Sequence, residues 1–275
     1  MATIVPAAVK VADAVTVADG TELNVVVGGP ASDVTTVLLH AWTLDLTSWD
    51  RVAALLPGRV VRYDHRGHGL SGGGSVRTFD QLADDLVEVL AARVPTGDVV
   101  LAGHSMGGMT MMALAERHPD VYSRVRGAVF VATSCGSLPP VRAVEKVFGR
   151  WVGRRAVLGF ARVMPLGLRV LLFGRRAEWA DVVAAARMIS RCSGAAFVDF
   201  RYEVAGHDRA KALARLAEVP AVVLAGGADL LTPVRHARAI AAELPGAELV
   251  VYPGAGHMLP VERAEEVAGR IARFR

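Results

Sequence analysis

Short apolar runs alternate with longer helix-like stretches along most of this chain, and this alternation restricts the fold more than any other feature. Eight runs indicate strands, at residues 14–17, 23–27, 34–40, 59–63, 99–103, 128–132, 221–225 and 248–252. From residue 34 onward the runs are apolar almost throughout, as expected for strands that helices cover on both faces. The pattern predicts an α/β fold with a mostly parallel, eight-stranded sheet flanked by helices.

Turn and helix signals support this order of elements. The pair Asp19-Gly20 lies between the first two strands and is typical of a hairpin, so we expect the sheet to begin with an antiparallel pair. Thr78 and Gln81 have the spacing of a capping box, and Pro119 is expected to end a helix. Helical patterns are clearest at 48–56, 78–93, 106–117, 233–244 and 261–274.

The alternation stops between residues 139 and 212, where helical patterns are interrupted by glycine and proline. We interpret 139–212 as a helical insertion into a single core formed by 1–138 and 213–275. A chain of 275 residues with 52% hydrophobic and 21% charged residues can bury a full core, and this composition excludes disorder.

The strongest local motif is G-H-S-M-G at residues 103–107, where an apolar strand meets a helical pattern. A sharp strand-to-helix turn strains its central residue and requires small residues two positions before and after it. Gly103 and Gly107 meet this requirement, and the turn presents Ser105 as a candidate nucleophile. The amide of Met106, at a helix N-terminus, is a candidate donor to an oxyanion.

A serine nucleophile needs a base, and the base needs an acid to orient it. Asp229 follows the strand at 221–225, and His257 lies in a glycine-rich loop after the strand at 248–252. Ser105, Asp229 and His257 thus follow three different strands, at the edge where parallel sheets place their sites. We predict that the three form a catalytic triad.

With this motif, order and spacing, the chain resembles the α/β-hydrolase family over nearly its full length. Two more motifs match, H-A-W at 40–42 and D-H-R-G-H-G-L-S at 64–71, although Ala41 stands where the family usually has glycine. The resemblance implies that the Trp42 amide is the second oxyanion donor and that the insertion covers the pocket. We interpret Asp64 and Arg66 as residues that hold their own turn together.

The charge is unevenly distributed. The chain has 31 basic and 27 acidic residues, a net charge of +4, whereas 139–212 alone carries +8 and the remainder −4. Because this basic stretch has no nucleic-acid motif and is interleaved with apolar residues that a cap would bury, we expect no nucleic-acid partner. A solvated helical face, loose attraction to anionic lipid and an acidic acyl donor all remain compatible with it.

The two cysteines, Cys135 and Cys192, are too few for a disulfide framework and too far apart for a metal site. We therefore expect two free thiols, a cytoplasmic location, and neither a metal nor a cofactor. The first residues lack the basic start and unbroken apolar segment of a signal peptide, and no apolar run is long enough to predict stable membrane insertion.

We thus expect a serine hydrolase that cleaves a small carboxylic ester with an apolar moiety through an acyl-enzyme intermediate. The same triad is also compatible with carbon–carbon bond hydrolysis, lactone opening or acyl transfer in a biosynthetic pathway. A non-catalytic ligand receptor that retains the fold is a third alternative.

Overall fold

In the computed structural model, which describes residues 11–139 and 165–275, eight strands form one sheet. The strands are β1 (Val11–Thr16), β2 (Glu22–Gly28), β3 (Val34–Leu39), β4 (Val60–Tyr63), β5 (Asp98–His104), β6 (Val125–Val131), β7 (Ala221–Gly226) and β8 (Glu248–Tyr252). Their order is β1-β2-β4-β3-β5-β6-β7-β8; β2 is antiparallel to both neighbours, and all other pairs are parallel. The predicted sheet and its antiparallel start are confirmed.

Helices connect the parallel strands, and two more follow the last strand. They are α1 (Asp50–Leu55), α2 (Phe79–Arg93), α3 (Met106–Arg117), α4 (Pro165–Leu172), α5 (Trp179–Arg191), α6 (Gly194–Gly206), α7 (Val234–Glu243), α8 (Leu259–Glu262) and α9 (Ala264–Ala272). The Thr78 hydroxyl accepts a hydrogen bond from the Gln81 amide and so caps α2, as the sequence predicts.

Two predicted helices are divided in the structure. The segment predicted at 48–56 begins with a 3₁₀ turn (Leu46–Trp49), which the Asp45 side chain caps, and only then continues as α1. The segment predicted at 261–274 forms α8 and α9 instead. Arg263 separates these two helices because its backbone has a non-helical φ of −139°.

Alternate residues of the central strands face two separate apolar cores. Leu39 and Leu101 belong to the core shared with α2 and α3. Leu38 and Val100 belong to the opposite core, which includes Ile271 of α9. Burial of each such side chain contributes about 1.5–3 kcal/mol, so both faces hold the central strands in register.

Helices α4, α5 and α6, the inserted helices, follow β6 and precede β7. A third, smaller apolar cluster joins them to the segment after β3; it contains Ala41, Leu44, Phe173, Val182, Ala185, Met188 and Met258. The described part of 139–212 is largely helical, and residues 140–164 of the predicted cap lie outside the described residues. The division into a core of 1–138 and 213–275 and a cap of 139–212 stays a prediction.

Candidate active site

Ser105 lies in the turn between β5 and α3 with φ 51° and ψ −111°, a conformation that side-chain-bearing residues rarely adopt. A Cβ at Gly103 would lie 2.5 Å from the Gly107 carbonyl carbon, and one at Gly107 would overlap the Leu39 carbonyl oxygen. Only glycine therefore fits at either position. The Ser105 amide donates to the Val131 carbonyl at 2.8 Å, which fixes the strained turn to β6.

Two backbone amides near Ser105 are available to a ligand. Met106 begins α3, and Trp42 follows the carboxyl end of β3. Among the described residues, neither amide has a hydrogen-bond acceptor. An N–H group at a helix N-terminus attracts negative charge, so Met106 in particular is suited to an oxyanion.

His40 holds the segment that carries Trp42. Its ring Nδ1 lies 2.8 Å from the Ala41 carbonyl oxygen, and its Nε2 accepts from the His65 amide at 2.8 Å. Burial lowers the pKa of His40 to about 4, so the ring is neutral at pH 7 and Nδ1 carries the proton. Ala41 itself is 3% exposed and belongs to the cluster under the inserted helices.

Asp229 and His257 form a buried hydrogen-bonded pair. The His257 Nδ1 lies 2.8 Å from Asp229 Oδ2, and each residue is 4% exposed. Burial opposes ionisation of Asp229, but the charge and hydrogen bond of His257 and the donors of Thr232 hold its pKa below the usual value. Asp229 is thus an anion at neutral pH, and its contact with Nδ1 can orient the imidazole for proton transfer at Nε2.

Thr232 was not predicted as a site residue. Its hydroxyl donates to Asp229 Oδ2 at 2.7 Å, and its amide donates to Asp229 Oδ1 at 3.0 Å. A threonine three residues after an aspartate in a loop is a known side-chain turn pattern, so the spacing offered a weak signal.

The main chain of His257 is held from two sides. Its amide donates to the Leu172 carbonyl at 2.8 Å, and its carbonyl lies 2.9 Å from His104 Nε2. Burial lowers the pKa of His104 to about 3, so this ring is neutral and donates through Nε2. His104 immediately precedes Ser105, so this bond joins the serine turn to the histidine loop. Within the described residues, no hydrogen bond joins the Ser105 hydroxyl to the His257 ring.

Asp64 holds its own turn, as the sequence predicts, whereas the Arg66 side chain bonds to residues outside that turn. The Asp64 carboxylate accepts from the amides of Leu46 at 2.7 Å and Leu70 at 2.9 Å. The Arg66 guanidinium forms a fully buried pair with Asp85. Both residues therefore support the loop structure beside the site.

A separate open cavity of about 810 Å³ lies between the ends of α2, α3 and α6. Its lining includes Asp80 and Arg209, which form an ion pair at 2.6 Å. Ser105 and His257 are not among its lining residues, so this cavity is distinct from the candidate active site.

No helix in residues 11–139 and 165–275 is both long and apolar enough to cross a membrane. No group of three or more histidine, cysteine, aspartate or glutamate side chains in the same ranges is arranged to hold a metal ion.

Comparison with known proteins identifies the family. A family model described as serine aminopeptidase, S33, matches residues 58–264. The pimeloyl-(acyl-carrier protein) methyl ester esterase of Chromobacterium violaceum is 29% identical over 247 residues, 83% of this chain and 88% of that protein. The enol-lactonase from Burkholderia xenovorans LB400 has a similar structure, with a TM-score of 0.81 at 26% identity over 95% of this chain and 99% of that chain.

The dihydrolipoyllysine-residue acetyltransferase component of the acetoin cleaving system of Pseudomonas putida is also similar, at 29% identity over 245 residues. That alignment covers 86% of this chain, but the chain spans only 62% of that protein. The chain belongs to the α/β-hydrolase family of serine hydrolases. Within this family the chain is an enzyme, a hydrolase.

Proposed function

We propose that this enzyme hydrolyses a small carboxylic ester with an apolar moiety through an acyl-enzyme intermediate on Ser105. The observation that carries this proposal is the bond between His104 and the His257 carbonyl. Through it, the strained serine turn lies beside the buried His257–Asp229 pair. A nucleophile, a base and an acid that orients the base thus lie at one edge of the sheet, as serine catalysis requires.

In the proposed first step, Ser105 Oγ bonds to the ester carbonyl carbon while His257 Nε2 takes the hydroxyl proton. The negative charge that develops on the carbonyl oxygen is stabilised by the amides of Met106 and Trp42. The carbon–oxygen ester bond then breaks, and the alcohol leaves with the proton from His257. In the second step, water attacks the acyl-enzyme by the same route, giving the carboxylic acid and free Ser105.

Apolar side chains around the site support an apolar substrate. Leu230 and Leu231 directly follow Asp229 and are 61% and 36% exposed. Leu171 is 45% exposed and immediately precedes Leu172, whose carbonyl binds the His257 amide. Exposed leucines at these positions favour contact with an acyl or alcohol chain.

Lactone opening is the second candidate, favoured by the structural similarity to an enol-lactonase. The chemistry is the same as for an open-chain ester, except that the leaving alcohol stays attached to the acyl group. A panel of p-nitrophenyl esters of increasing chain length, measured beside a panel of lactones, separates the two candidates by kcat/KM.

The nucleophile itself is tested with a fluorophosphonate probe. We expect the Ser105 oxygen to displace fluoride and form a stable phosphonate ester, which peptide mass spectrometry locates. Ser105→Ala is expected to lose labelling and about 10⁶-fold in kcat while it keeps its thermal unfolding temperature. A folded wild-type protein that neither reacts with the probe nor turns over any substrate of either panel would refute the proposal.

A cytoplasmic location is also proposed, because Cys135 and Cys192 are free and buried. Burial raises the pKa of Cys192 to about 12, so this thiol is unreactive and suits a reducing compartment. Cell fractionation of the native host tests the location, and recovery of the protein outside the cytoplasm would contradict it.

A further inference from the structure

Glu262, the last residue of α8, joins two segments that are far apart in sequence. Its Oε2 accepts from the Gly174 amide at 2.8 Å, and its Oε1 accepts from the Gly256 amide at 3.0 Å. Gly256 directly precedes His257, and Gly174 lies between α4 and α5. One carboxylate therefore connects the inserted helices to the loop that carries the proposed catalytic base.

The two segments that Glu262 joins, 172–175 and 254–258, are in direct backbone contact. The Leu172 carbonyl accepts from the amides of His257 at 2.8 Å and Met258 at 3.1 Å, and the Arg175 amide donates to the Gly254 carbonyl at 3.1 Å. We call these two segments the His257 bridge. Its hydrogen bonds leave the backbone on either side of His257 little freedom to rotate.

Glycine is required on both sides of the bridge. A Cβ at Gly174 would lie 2.7 Å from the Gly256 nitrogen, and a Cβ at Gly256 would lie 2.8 Å from the Phe173 Cα. Real Cβ atoms do not approach backbone atoms this closely. The carboxylate of Glu262 thus acts on two chains that already touch, so small movements of one are transmitted to the other.

Charge also favours this arrangement. Burial raises the pKa of Glu262, while the Gly174 and Gly256 amides and the nearby Arg263 and Arg169 favour the ionised carboxylate. Arg169 approaches from the other side, because its guanidinium donates to the Gly174 carbonyl at 2.6 Å and the Arg175 carbonyl at 2.8 Å. Hydrogen bonds between amides and an ionised carboxylate are stronger than neutral ones.

We infer that Glu262 is a positioning residue, which sets the orientation of His257 toward Ser105 through the His257 bridge. This inference rests on the proposed function, in which His257 is the base. Glu262 contacts neither Ser105 nor the His257 ring, so it takes no part in proton transfer. A displacement of about 1 Å at a reacting group lowers turnover about 10²-fold, which is the effect expected when the bridge loosens.

The test compares Glu262→Ala and Glu262→Gln with the matched control Glu265→Ala, which removes an exposed glutamate from the first turn of α9. With a p-nitrophenyl ester, Glu262→Ala is expected to lower kcat about 10²-fold with little change in KM. Glu262→Gln keeps one carbonyl acceptor for the two amides and is expected to recover part of the lost kcat. Glu265→Ala is expected to match the wild type.

Gly174→Ala acts on the bridge from the opposite side and is expected to reproduce the fall in kcat. Its control is Gly206→Ala, because a Cβ at Gly206 meets nothing within 4 Å. If Glu262→Ala does not fold, Glu262→Gln and Gly174→Ala still provide the comparison.

Hydrogen–deuterium exchange separates failure of this inference from failure of the proposed function. Faster exchange in peptides covering 172–175 and 254–258 of Glu262→Ala, together with the fall in kcat, supports the inference. Unchanged kcat in Glu262→Ala and Gly174→Ala, even with a lower unfolding temperature, overturns it. If the wild type is not labelled by the fluorophosphonate, the proposed function fails and the positioning role fails with it, whereas the exchange result still reports whether Glu262 holds the bridge.

Discussion

Two regions contribute to the same site by different physical means. One is the sheet edge, where the parallel strands have their carboxyl ends, and the other is the inserted helices. At the sheet edge, backbone geometry places the residues. Ser105 is fixed by the two glycines of its turn and by the hydrogen bond from its amide to the Val131 carbonyl. The inserted helices are attached by the backbone hydrogen bonds of the His257 bridge, by apolar contacts that include Phe200 of α6 in the core shared with α2 and α3, and by several ion pairs. Because ion pairs near the surface are individually weak, we infer that single ion pairs of the inserted helices can be altered without unfolding the sheet.

The uneven charge of the sequence has a counterpart in these attachments. Arg191 of α5 pairs with Asp45, and Arg209 after α6 pairs with Asp80 at 2.6 Å. Part of the basic excess of 139–212 is therefore used to bind acidic residues of the −4 remainder. Held in these pairs, such arginines are less available to an external anionic partner.

After Ser105→Ala, the largest expected effect also comes from the sheet edge, with Asp229→Asn. The amide side chain cannot hold the imidazole as the carboxylate does and favours the wrong tautomer, so kcat should fall about 10⁴-fold. The unfolding temperature should change little, because Thr232 still donates to the remaining oxygen. Steady-state kinetics on the best ester measures the fall, and a kcat within tenfold of the wild type would contradict the role of Asp229.

The second prediction concerns stability of the sheet side. Asp85→Leu leaves the fully buried Arg66 with Asp19 as its remaining carboxylate partner. Breaking a buried ion pair by removal of one partner costs about 3 kcal/mol, which should appear as a lower midpoint in urea unfolding. The control is Asp84→Asn, whose partner Arg117 is 44% exposed, and its effect should stay within about 1 kcal/mol. Equal midpoints for the two variants would show that burial of the Arg66 pair has no influence on stability.

The sheet and the candidate catalytic residues were predictable from the sequence, because their signals are local. Apolar runs mark buried strands whatever lies around them, and the glycines at 103 and 107 follow from the turn they occupy. Asp229 and His257 could be predicted as site residues because each lies in the loop that follows a strand. The structure brings them to 2.8 Å, as their positions at one sheet edge imply.

The attachments of the inserted helices were not predictable, because each depends on residues far apart in sequence. Glu262 binds Gly174, 88 positions away, and Arg191 binds Asp45, 146 positions away. Neither pair has a local pattern in the sequence. On a surface rich in arginine, the packing of the helices determines which side chains come into contact. Thr232 falls between the two cases, since its bonds to Asp229 are local but its contact with His257, 25 positions away, is not.

Residues 40–49 carry the proposed oxyanion donor Trp42, and we call them the oxyanion segment. The third prediction tests whether the inserted helices influence catalysis through this segment. Arg191 donates through Nε to Asp45 Oδ2 at 2.8 Å, and Asp45 caps the 3₁₀ turn that follows Trp42. Arg191→Gln should therefore lower kcat/KM about tenfold, less than the 10²–10³ for loss of a whole oxyanion donor. The control is Arg187→Gln, because Arg187 is exposed and lies one turn earlier on α5; this change should leave kcat/KM unchanged. Equal kcat/KM values for Arg191→Gln and Arg187→Gln would show that α5 does not influence catalysis through the oxyanion segment.

The smallest expected effect belongs to an ion pair that holds an inserted helix but does not lead to the site. Arg77 binds Asp199 of α6 at 2.7 Å, and the Asp199 side chain is 43% exposed. Asp199→Asn should lower the free energy of unfolding by less than about 1 kcal/mol, an effect that added salt removes, and leave kcat/KM unchanged. A loss of activity as large as that of Arg191→Gln would mean that the attachments act together as one unit. If Asp199→Asn leaves kcat/KM unchanged and Arg191→Gln lowers it, an attachment affects catalysis only when its contacts continue to the oxyanion segment.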